Sequence, residues 1–444
     1  MEITLCSVGG YNEVGKNMTA LKIGDEVIIL DMGVFVPKLI DFEEEGSRQS
    51  ASANELVRYG AIPDDSIISS WKNLVKAIAV THCHIDHCAA IPYLSSKYNA
   101  PIYGTPFSVA FIKSLLSDEK KTIKNKLKVL NPGSIVKVSK NISIEFINTT
   151  HSTLQTVMIA VHTPEGVILY SNDFKFDNHP VLGKAPDYVR LKKIAKEGVL
   201  ALIVDSLYAP DASKTPSEKV AREMLKDVML GTDNSGHAII VTTFASHLAR
   251  LRSIVDFGKK LNRKVVFLGR SMAKYSAAGD AAGLVNYSKE AGIFGYRNQV
   301  KKVLKDVEKN RDRYVVVCTG NQGEPKAVLS RMAIKELPFK FLPDDHIIFS
   351  CKTIPVDINI ANRALLESRL KKNKVRIFKD IHVSGHAARE DLRDLIDMVK
   401  PQNILPAHGN PNQTTALAEL AVEMGYKIGK EIHLMNDGQM LKLK

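Results

Sequence analysis

The stretch Thr81–Cys88 reads THCHIDHC and places three histidines and one aspartate within six consecutive residues. Ionisable groups this close desolvate and repel one another unless a shared partner compensates them. The preceding run, KAIAVT, is a short continuous apolar segment, typical of a buried strand. The sequence therefore predicts a strand that delivers a metal-binding cluster at its carboxyl end.

The spacing within this cluster predicts two groups of ligands. Residues two apart on an extended strand share a face, so His82 and His84 point together while Cys83 points away. If the chain turns after His84, then Asp86 and His87 face a second point nearby. One such junction can serve two ions about 3.5 to 4 Å apart.

Two ions need more ligands than these four, and isolated His and Asp residues end other predicted strands. His151 follows ISIEFINTT, Asp173 follows VILYSN, and His408 lies in ILPAHGN. Asp31 ends the run VIILD, where a carboxylate can hold a ligating imidazole by a hydrogen bond. A lone histidine at a strand end is more often structural, so it is the joint pattern that makes these residues candidates.

The composition is typical of a globular protein with more than one domain. The chain has 444 residues, 45% of them apolar and 25% charged, and one core rarely serves that length. The apolar runs are shorter than the ~18 to 20 residues that span a bilayer, and a secretory signal is lacking. We therefore expect a cytoplasmic protein without a membrane partner. The five cysteines form no CxxC pair and are expected to be reduced; Cys83 and Cys88 are weaker metal candidates than the histidines.

The formal net charge is +13, which favours an acidic partner. Basic residues cluster at 120–128, 190–196, 259–264, 301–305 and 369–376. Each cluster alone is typical of a solvated helix face or turn. Together they favour a polyanion, and nucleic acid is the natural one.

The pattern of predicted elements indicates one domain inserted into another. Short β-rich runs dominate the first part of the chain, whereas strands and helices alternate from about residue 199, as in βαβ units with a parallel sheet. The chain has no Pro-, Gly- or Ser-rich linker at the change. We expect a host domain in two parts, 1–205 and 361–444, and an inserted α/β domain at 206–360.

Asp31, the THCHIDHC cluster, His151 and Asp173 follow the order of the first four motifs of the metallo-β-lactamase fold superfamily, which the chain resembles. The resemblance implies an α/β fold whose host domain is an αββα sandwich. It also implies which residues bind metal. In that pattern one zinc is held by His82, His84 and His151, the other by Asp86, His87 and a late histidine, for which His408 is the candidate, and Asp173 bridges the two.

Later motifs narrow the resemblance to one branch of the superfamily. Asp205 in LIVDSLYA, His386 in HVSGHA and His408 in PAHG are similar to motifs A, B and C of the nucleic-acid-processing β-CASP branch. The insertion is therefore expected to be a β-CASP domain. Further stretches are similar to signatures of the ribonuclease J group, especially its short archaeal type: GGYNEVGKN (9–17), GRSM (269–272) and TGNQGEPKAVLSRMA (319–333).

A pair of zinc ions would explain hydrolysis of a phosphodiester at neutral pH, since zinc lowers the pKa of water toward about 7. Asp86 is assigned to catalysis as well as to metal binding. His386 is expected to donate a proton to the leaving oxygen or to clamp a phosphate, with Asp205 orienting it and raising its pKa.

Polar residues at predicted turns are the candidates for binding RNA. FASHLAR and GRSM fall at strand-to-helix turns, where helix amino ends bind anions, and HVSGHA offers a cradle for a phosphate. The resemblance implies contacts to the RNA backbone or its 5′ phosphate; the alternative is that these residues cap helices and turns. The candidates are Ser246, His247, Arg270, Ser271, His382, Ser384, Gly385 and His386.

The resemblance implies a zinc-dependent ribonuclease that removes nucleotides from the 5′ end of single-stranded RNA and senses that end. Two zinc ions per chain are expected, although sites of this composition also accept Mn²⁺ or Mg²⁺. A homodimer is compatible with the family. The alternatives are an endoribonuclease without end preference, a hydrolase of small thioesters or lactams, and a catalytically silent RNA-binding subunit.

Overall fold

The computed structural model describes residues 1–45, 51–354 and 356–443. Contacts divide the chain into two compact units. The first comprises Met1–Asn178, Lys184–Thr215 and Gly385–Lys444, and the second comprises His179–Gly183 and Pro216–Ser384. The chain thus leaves the first unit and returns to it, as the insertion of one domain into another requires.

The strands, in chain order, are β1 (Ile3–Gly9), β2 (Met18–Ile23), β3 (Glu26–Leu30), β4 (Val75–Ala79), β5 (Ile102–Gly104), β6 (Leu127–Val129), β7 (Ile135–Lys137), β8 (Ser143–Asn148), β9 (Val157–Thr163) and β10 (Gly166–Ser171). They continue with β11 (Val199–Asp205), β12 (Ile239–Thr242), β13 (Lys264–Leu268), β14 (Gly292–Phe294), β15 (Tyr314–Cys318), β16 (His346–Phe349), β17 (Arg376–Phe378), β18 (Asn403–Ala407) and β19 (Gln439–Leu443).

The α-helices are α1 (Val36–Glu45), α2 (Ala53–Arg58), α3 (Ile85–Cys88), α4 (Ile91–Leu94), α5 (Pro106–Asp118), α6 (Tyr188–Glu197), α7 (Glu218–Leu230) and α8 (Leu248–Lys260). The later ones are α9 (Arg270–Ala281), α10 (Tyr287–Glu290), α11 (Arg297–Lys309), α12 (Val328–Ala333), α13 (Asp357–Lys371), α14 (Arg389–Val399) and α15 (Pro411–Glu423). Short 3-10 helices span Asp65–Leu74, Ser95–Lys97 and Arg311–Arg313.

The first unit is built on two sheets whose strand orders are β19-β1-β2-β3-β4-β5-β6 and β18-β11-β10-β9-β8-β7. Leu5 and Ile28 of one sheet and Phe146 and Ile203 of the other belong to a single buried cluster, so the sheets pack face to face. Helices α6, α14 and α15 bury residues such as Leu191 against the outer face of the second sheet, and α5 contacts β5 and β6 of the first. This is the αββα sandwich expected from the sequence.

Strand direction brings residues that are distant in sequence to one edge of the first unit. Strands β3 and β4 run parallel in the first sheet, and β10, β11 and β18 run parallel in the second. Strand β8 shares the direction of β10, since both are antiparallel to β9. The histidines and aspartates that follow these strands therefore collect at their carboxyl ends.

The second unit is an α/β domain around a wholly parallel sheet of order β14-β13-β15-β12-β16-β17. Its core includes Ile240, Val266, Val316 and Ile347 from four neighbouring strands. Continuous apolar runs such as YVVVC are typical of parallel strands buried on both faces. The inserted α/β domain expected from the sequence is thus present.

The unit boundaries differ from the expected positions 205/206 and 360/361. Residues 206–215 stay with the first unit, where Tyr208 bridges to Ala388 and the backbone N–H of Thr215 donates to Asp391 at 2.8 Å. Helix α13 and strand β17 stay with the second unit, because β17 pairs with β16 in register from His346 to Arg376. The chain returns to the first unit only at Gly385.

In the described ranges, no helix combines the length and the apolar character that a bilayer span requires. All five cysteines are buried thiols outside any disulfide bond. Burial raises the pKa of the Cys83 thiol, and a thiol that stays protonated is a poor metal ligand.

A fully buried arginine lies within the second unit. Arg250 on α8 forms a bidentate pair with Glu218, with nitrogen–oxygen distances of 2.6 and 2.8 Å. It also donates to Ser350 Oγ at 2.8 Å and to the carbonyl of Ile381 at 3.0 Å. These bonds compensate the buried charges, so removal of either partner leaves the other without its bidentate ion pair.

We expect Arg250→Met to destabilise the protein by about 3 to 5 kcal/mol, because it leaves the buried Glu218 carboxylate without its bidentate partner. Arg252→Met on the same helix is the control. Its partner Glu290 lies at the surface with side-chain exposures of 19% and 20% for the pair, so an effect of about 1 kcal/mol or less is expected. Thermal unfolding checks both, and a larger loss in Arg252→Met would contradict this account.

Candidate metal centre

Asp31 supports the histidine cluster from the end of β3. It is fully buried and adopts a left-handed φ of 60°, a conformation that costs energy for a residue with a side chain. Its carboxylate accepts hydrogen bonds at 2.8 Å from the backbone N–H and the hydroxyl of Thr81. It also lies 2.8 Å from Nδ1 of His87. Because a carboxylate only accepts, Nδ1 of His87 carries the proton and Nε2 points toward the site.

The first group of ligand atoms comes from three strand ends: His82 and His84 follow β4, His151 follows β8 and Asp173 follows β10. Nδ1 of His84 lies 3.0 Å from Nε2 of His82 and 3.1 Å from Nε2 of His151. Oδ2 of Asp173 lies 3.6 Å and 3.5 Å from the same two Nε2 atoms. Ligands around a tetrahedral ion with bonds of about 2.0 to 2.1 Å stand roughly 3.3 Å apart. The group therefore fits one metal ion.

The second group uses the other oxygen of Asp173. Oδ1 lies 3.2 Å from Nε2 of His87 and 3.6 Å from Nε2 of His408, and Oδ2 of Asp86 lies 3.7 Å from the same His87 nitrogen. Oδ1 of Asp173 is buried and accepts no well-formed hydrogen bond within the described residues. A buried carboxylate oxygen without such a hydrogen bond is stabilised by a cation. The His/Asp cluster thus suits a dinuclear metal site with Asp173 between the two groups.

The electrostatics of the two groups differ. Burial, reinforced by neighbouring imidazoles, holds the pKa of His82 and His151 well below the usual value and lowers that of His84 to about 4. These three rings are neutral, the form that binds metals. At His87 burial also disfavours charge, but Asp173 and nearby carboxylates outweigh it and raise the pKa. The carboxylates of the second group therefore stabilise a positive charge at this position.

Asp205 and His386 form a hydrogen-bonded pair beside the ligands. Asp205 ends β11, and its Oδ2 lies 2.7 Å from Nδ1 of His386. The ring of His386 stacks on that of His408 with an angle of 14° between the planes, and its Nε2 lies 3.9 Å from Asp173. Burial lowers the pKa of His386, but the carboxylates of Asp205 and Asp173 prevail and raise it to about 9. This histidine can therefore hold a proton near the metal groups at neutral pH.

The segment HVSGHA is divided between the two units. His382 and Ser384 are half-buried in the second unit, whereas Gly385 and His386 belong to the first. The carbonyl of Gly385 accepts from Nδ1 of His151 at 2.7 Å, which leaves Nε2 of that ring for a metal. The carbonyl of Gly385 thus orients a candidate ligand, and the predicted contact of this segment with a phosphate stays a prediction.

The other predicted RNA-binding residues lie at helix starts in the second unit. His247 caps α8, where its ring accepts from the backbone N–H of Arg250 at 3.1 Å, and Ser246 is buried just before it. Arg270 and Ser271 are exposed in the first turn of α9. The helix-start position predicted for all four residues is thus observed.

Two residues beside the ligands were not among the sequence candidates. Thr81 donates to Asp31 and lies 3.0 Å from Nδ1 of His82. Oδ1 of Asn17 lies 3.1 Å from Nδ1 of His408. Thr81 joins the buried strand to the cluster, and Asn17 ends the glycine-rich stretch GGYNEVGKN. These positions are the only signals that the sequence offers for either residue.

Family models match three parts of the chain. The metallo-β-lactamase superfamily matches residues 12–228, and the β-CASP domain of ribonuclease J matches 236–366. A Zn-dependent metallo-hydrolase RNA specificity domain matches 374–434. The order of these matches agrees with an insertion within a host domain.

Relatives that match nearly all of this chain share the name ribonuclease J. Ribonuclease J of Methanocaldococcus jannaschii is 44% identical, with 100% of this chain and 99% of the relative covered, and that of Pyrococcus abyssi is 43% identical over 99% and 97%. Ribonuclease J 1 of Streptococcus pyogenes is 31% identical over 100% of this chain and 74% of the relative. A crystal structure of a protein of unknown function from Enterococcus faecalis V583 shares the fold with a TM-score of 0.67 at 18% identity, covering 100% of both chains. The chain therefore belongs to the ribonuclease J family.

Proposed function

We propose that the chain is a zinc-dependent ribonuclease that degrades single-stranded RNA from its 5′ end. The family name of its relatives and the match to an RNA specificity domain support an RNA substrate. A net charge of +13 suits a polyanion. The observation that carries the proposal is Asp173, whose two carboxylate oxygens face two separate sets of ligands.

Each ligand group is proposed to hold one zinc ion. When bound there, zinc supplies acidification of a water molecule and neutralisation of charge on the phosphoryl oxygens. The chain contributes the arrangement of the rings. Asp31 fixes His87, and the Gly385 carbonyl fixes His151, so both present Nε2 without reorientation.

His386 is the proposed general acid. Hydrolysis that releases a 5′ mononucleotide breaks the bond between phosphorus and the 3′ oxygen of that nucleotide, and this oxygen needs a proton as it leaves. The pKa of His386, raised to about 9, keeps Nε2 protonated at neutral pH. Asp205 accepts from Nδ1 and fixes the ring so that Nε2 lies on the side of Asp173.

RNA binding is proposed to use the second unit as well. Arg270 and Ser271 are exposed at the amino end of α9, a helix of 12 residues. Backbone N–H groups at such an end favour phosphate, and the guanidinium of Arg270 adds a positive charge. We assign these residues, with Ser246 and His247 at the start of α8, to the RNA backbone or the 5′ phosphate.

RNAs labelled at either end and carrying a 5′ monophosphate, triphosphate or hydroxyl test the direction of degradation. We expect 5′-labelled RNA to release labelled mononucleotides at once, while 3′-labelled RNA shortens gradually from full length. A 5′ monophosphate should be degraded fastest if the end is sensed. Internal fragments from all three substrates at equal rates would instead assign an endonuclease without end preference.

Metal removal should abolish cleavage. The two ions would neutralise the charge that develops on the phosphoryl oxygens, so dialysis against a chelator is expected to reduce RNA cleavage by at least about 10³-fold. Zinc should restore it at two ions per chain. Undiminished cleavage in protein shown by mass spectrometry to contain less than one metal ion per chain would contradict the proposed function.

A further inference from the structure

The stretch GGYNEVGKN joins β1 to β2 and has no role in the reaction described so far. Its last residue, Asn17, is 2% exposed. An asparagine buried at the end of a glycine-rich turn must find partners for both a donor and an acceptor group. Its partners therefore reveal what the turn is for.

The side chain of Asn17 connects two ligands of the second group. Nδ2 donates to the backbone carbonyl of Asp86 at 3.0 Å, and Oδ1 lies 3.1 Å from Nδ1 of His408. Because a carbonyl only accepts, the orientation of the amide is fixed. Oδ1 is then the acceptor at His408, so Nδ1 carries the proton. Nε2 of His408, 3.6 Å from Oδ1 of Asp173, is left with its lone pair.

Backbone contacts of the same turn hold the same group. The N–H of Asn17 donates to the Asp86 carbonyl at 3.1 Å, and the N–H of His408 donates to the carbonyl of Gly10 at 2.6 Å. Nδ2 of the Asn17 side chain also lies 3.0 Å from Nε2 of His87, the atom assigned to the metal, so a bound ion would take the place of this one contact. Gly10 has a φ of 87°, and a Cβ there would come within 2.6 Å of Oδ1 of Asn17. The turn thus requires glycine in order to place the amide.

The first group has separate supports. His151 is oriented by the carbonyl of Gly385 at 2.7 Å, and His82 lies beside the hydroxyl of Thr81 at 3.0 Å. Among the described contacts of Asn17, those with ligands involve Asp86, His87 and His408. A change at Asn17 should therefore act on one group and spare the other.

We propose that Asn17 is a positioning residue that sets the affinity of the second metal group, Asp86, His87, Asp173 and His408, without setting that of the first. The inference rests on the proposed two-metal function. In this proposal, the stretch GGYNEVGKN fixes the tautomer of His408 and the position of Asp86. Loss of such an outer partner weakens metal binding by about 10- to 100-fold.

The test measures zinc per chain after dialysis against buffers of graded free zinc, for the full chain and for Asn17→Ala. The wild type should bind two ions, and Asn17→Ala should bind one with unchanged affinity and the second about 10- to 100-fold more weakly. Asn17→Leu, which keeps the volume but has neither donor nor acceptor, should behave alike and serves if the alanine variant folds poorly.

Asn403→Ala is the matched control. Asn403 is also buried in the first unit, its Nδ2 donates to the carbonyl of Leu200 at 2.9 Å, and its Oδ1 lies 2.8 Å from Nε2 of His433. It should lose comparable stability yet bind two ions as the wild type does. Folded Asn17 variants that bind both ions with wild-type affinity would overturn this inference and leave the function standing. A wild type that binds fewer than two ions would instead refute the two-metal function itself.

Discussion

Asp173→Asn is expected to lose both metal ions and to cleave RNA at least about 10³-fold more slowly than the wild type. The carboxylate faces one ligand group with each oxygen, at 3.2 Å from His87 and 3.5 Å from His151. An amide keeps the shape but removes the charge and one acceptor. If the ions contribute roughly 4 kcal/mol of transition-state stabilisation, the rate falls about 10³-fold, since each 1.36 kcal/mol is tenfold.

Zinc content and single-turnover cleavage check this prediction, and Asp65→Asn is its control. Asp65 is also a buried aspartate of the first unit, where it accepts from Lys97 and Tyr98, both at 2.6 Å. Its variant should lose stability but keep two ions and most of its activity per folded molecule. An Asp173→Asn protein that retains two tightly bound ions would show that the Asp173 carboxylate is not required to bind either ion.

His386→Gln is expected to slow cleavage by about 10² to 10⁴-fold, the usual contribution of a positioned acid, while both ions stay bound. His386 belongs to neither of the two proposed sets of metal ligands, so zinc content separates its role from theirs. Single-turnover rates at saturating RNA measure the chemical step directly. A parallel loss of one zinc ion would show that His386 acts as a ligand rather than as an acid.

Two further variants test the proposed role of His386 as the general acid. Asp205→Asn should slow the reaction less, and adding it to His386→Gln should slow it little further, because residues that act as a unit are not additive. His162→Gln is the matched control. His162 pairs with Glu145 at 2.8 Å and is 19% exposed, against 17% for His386, so its variant should retain wild-type rates.

The site could be predicted from the sequence to the extent that its residues end apolar strands. His151, Asp173 and His408 each follow a buried run, and the carboxyl ends of their strands lie at one edge, as the pairing of β10, β11 and β18 requires. Because the candidate side chains are imidazoles and carboxylates, the sequence indicated metal binding as the chemistry of the site. Asn17 could not be predicted, since an amide is informative only through its partners, and those lie 69 and 391 residues away.

The domain boundaries and the buried arginine show where a local pattern is insufficient. Strand β17 has three residues, none of them fully buried, so its pattern is too short to assign it to the parallel sheet. Arg250 sits on an ordinary amphipathic helix, and its partner Glu218 lies 32 residues earlier. In both cases the position of the residue in the fold depends on a contact with a residue distant in sequence. The local apolar periodicity does not predict such a contact.

Anomalous diffraction at the zinc edge from zinc-loaded crystals can show whether two metal ions share Asp173. We expect two peaks about 3.5 to 4 Å apart, one among His82, His84 and His151 and the other among Asp86, His87 and His408, with Asp173 between them. A single peak, or a pair that Asp173 does not touch, would mean that Asp173 does not bind two ions.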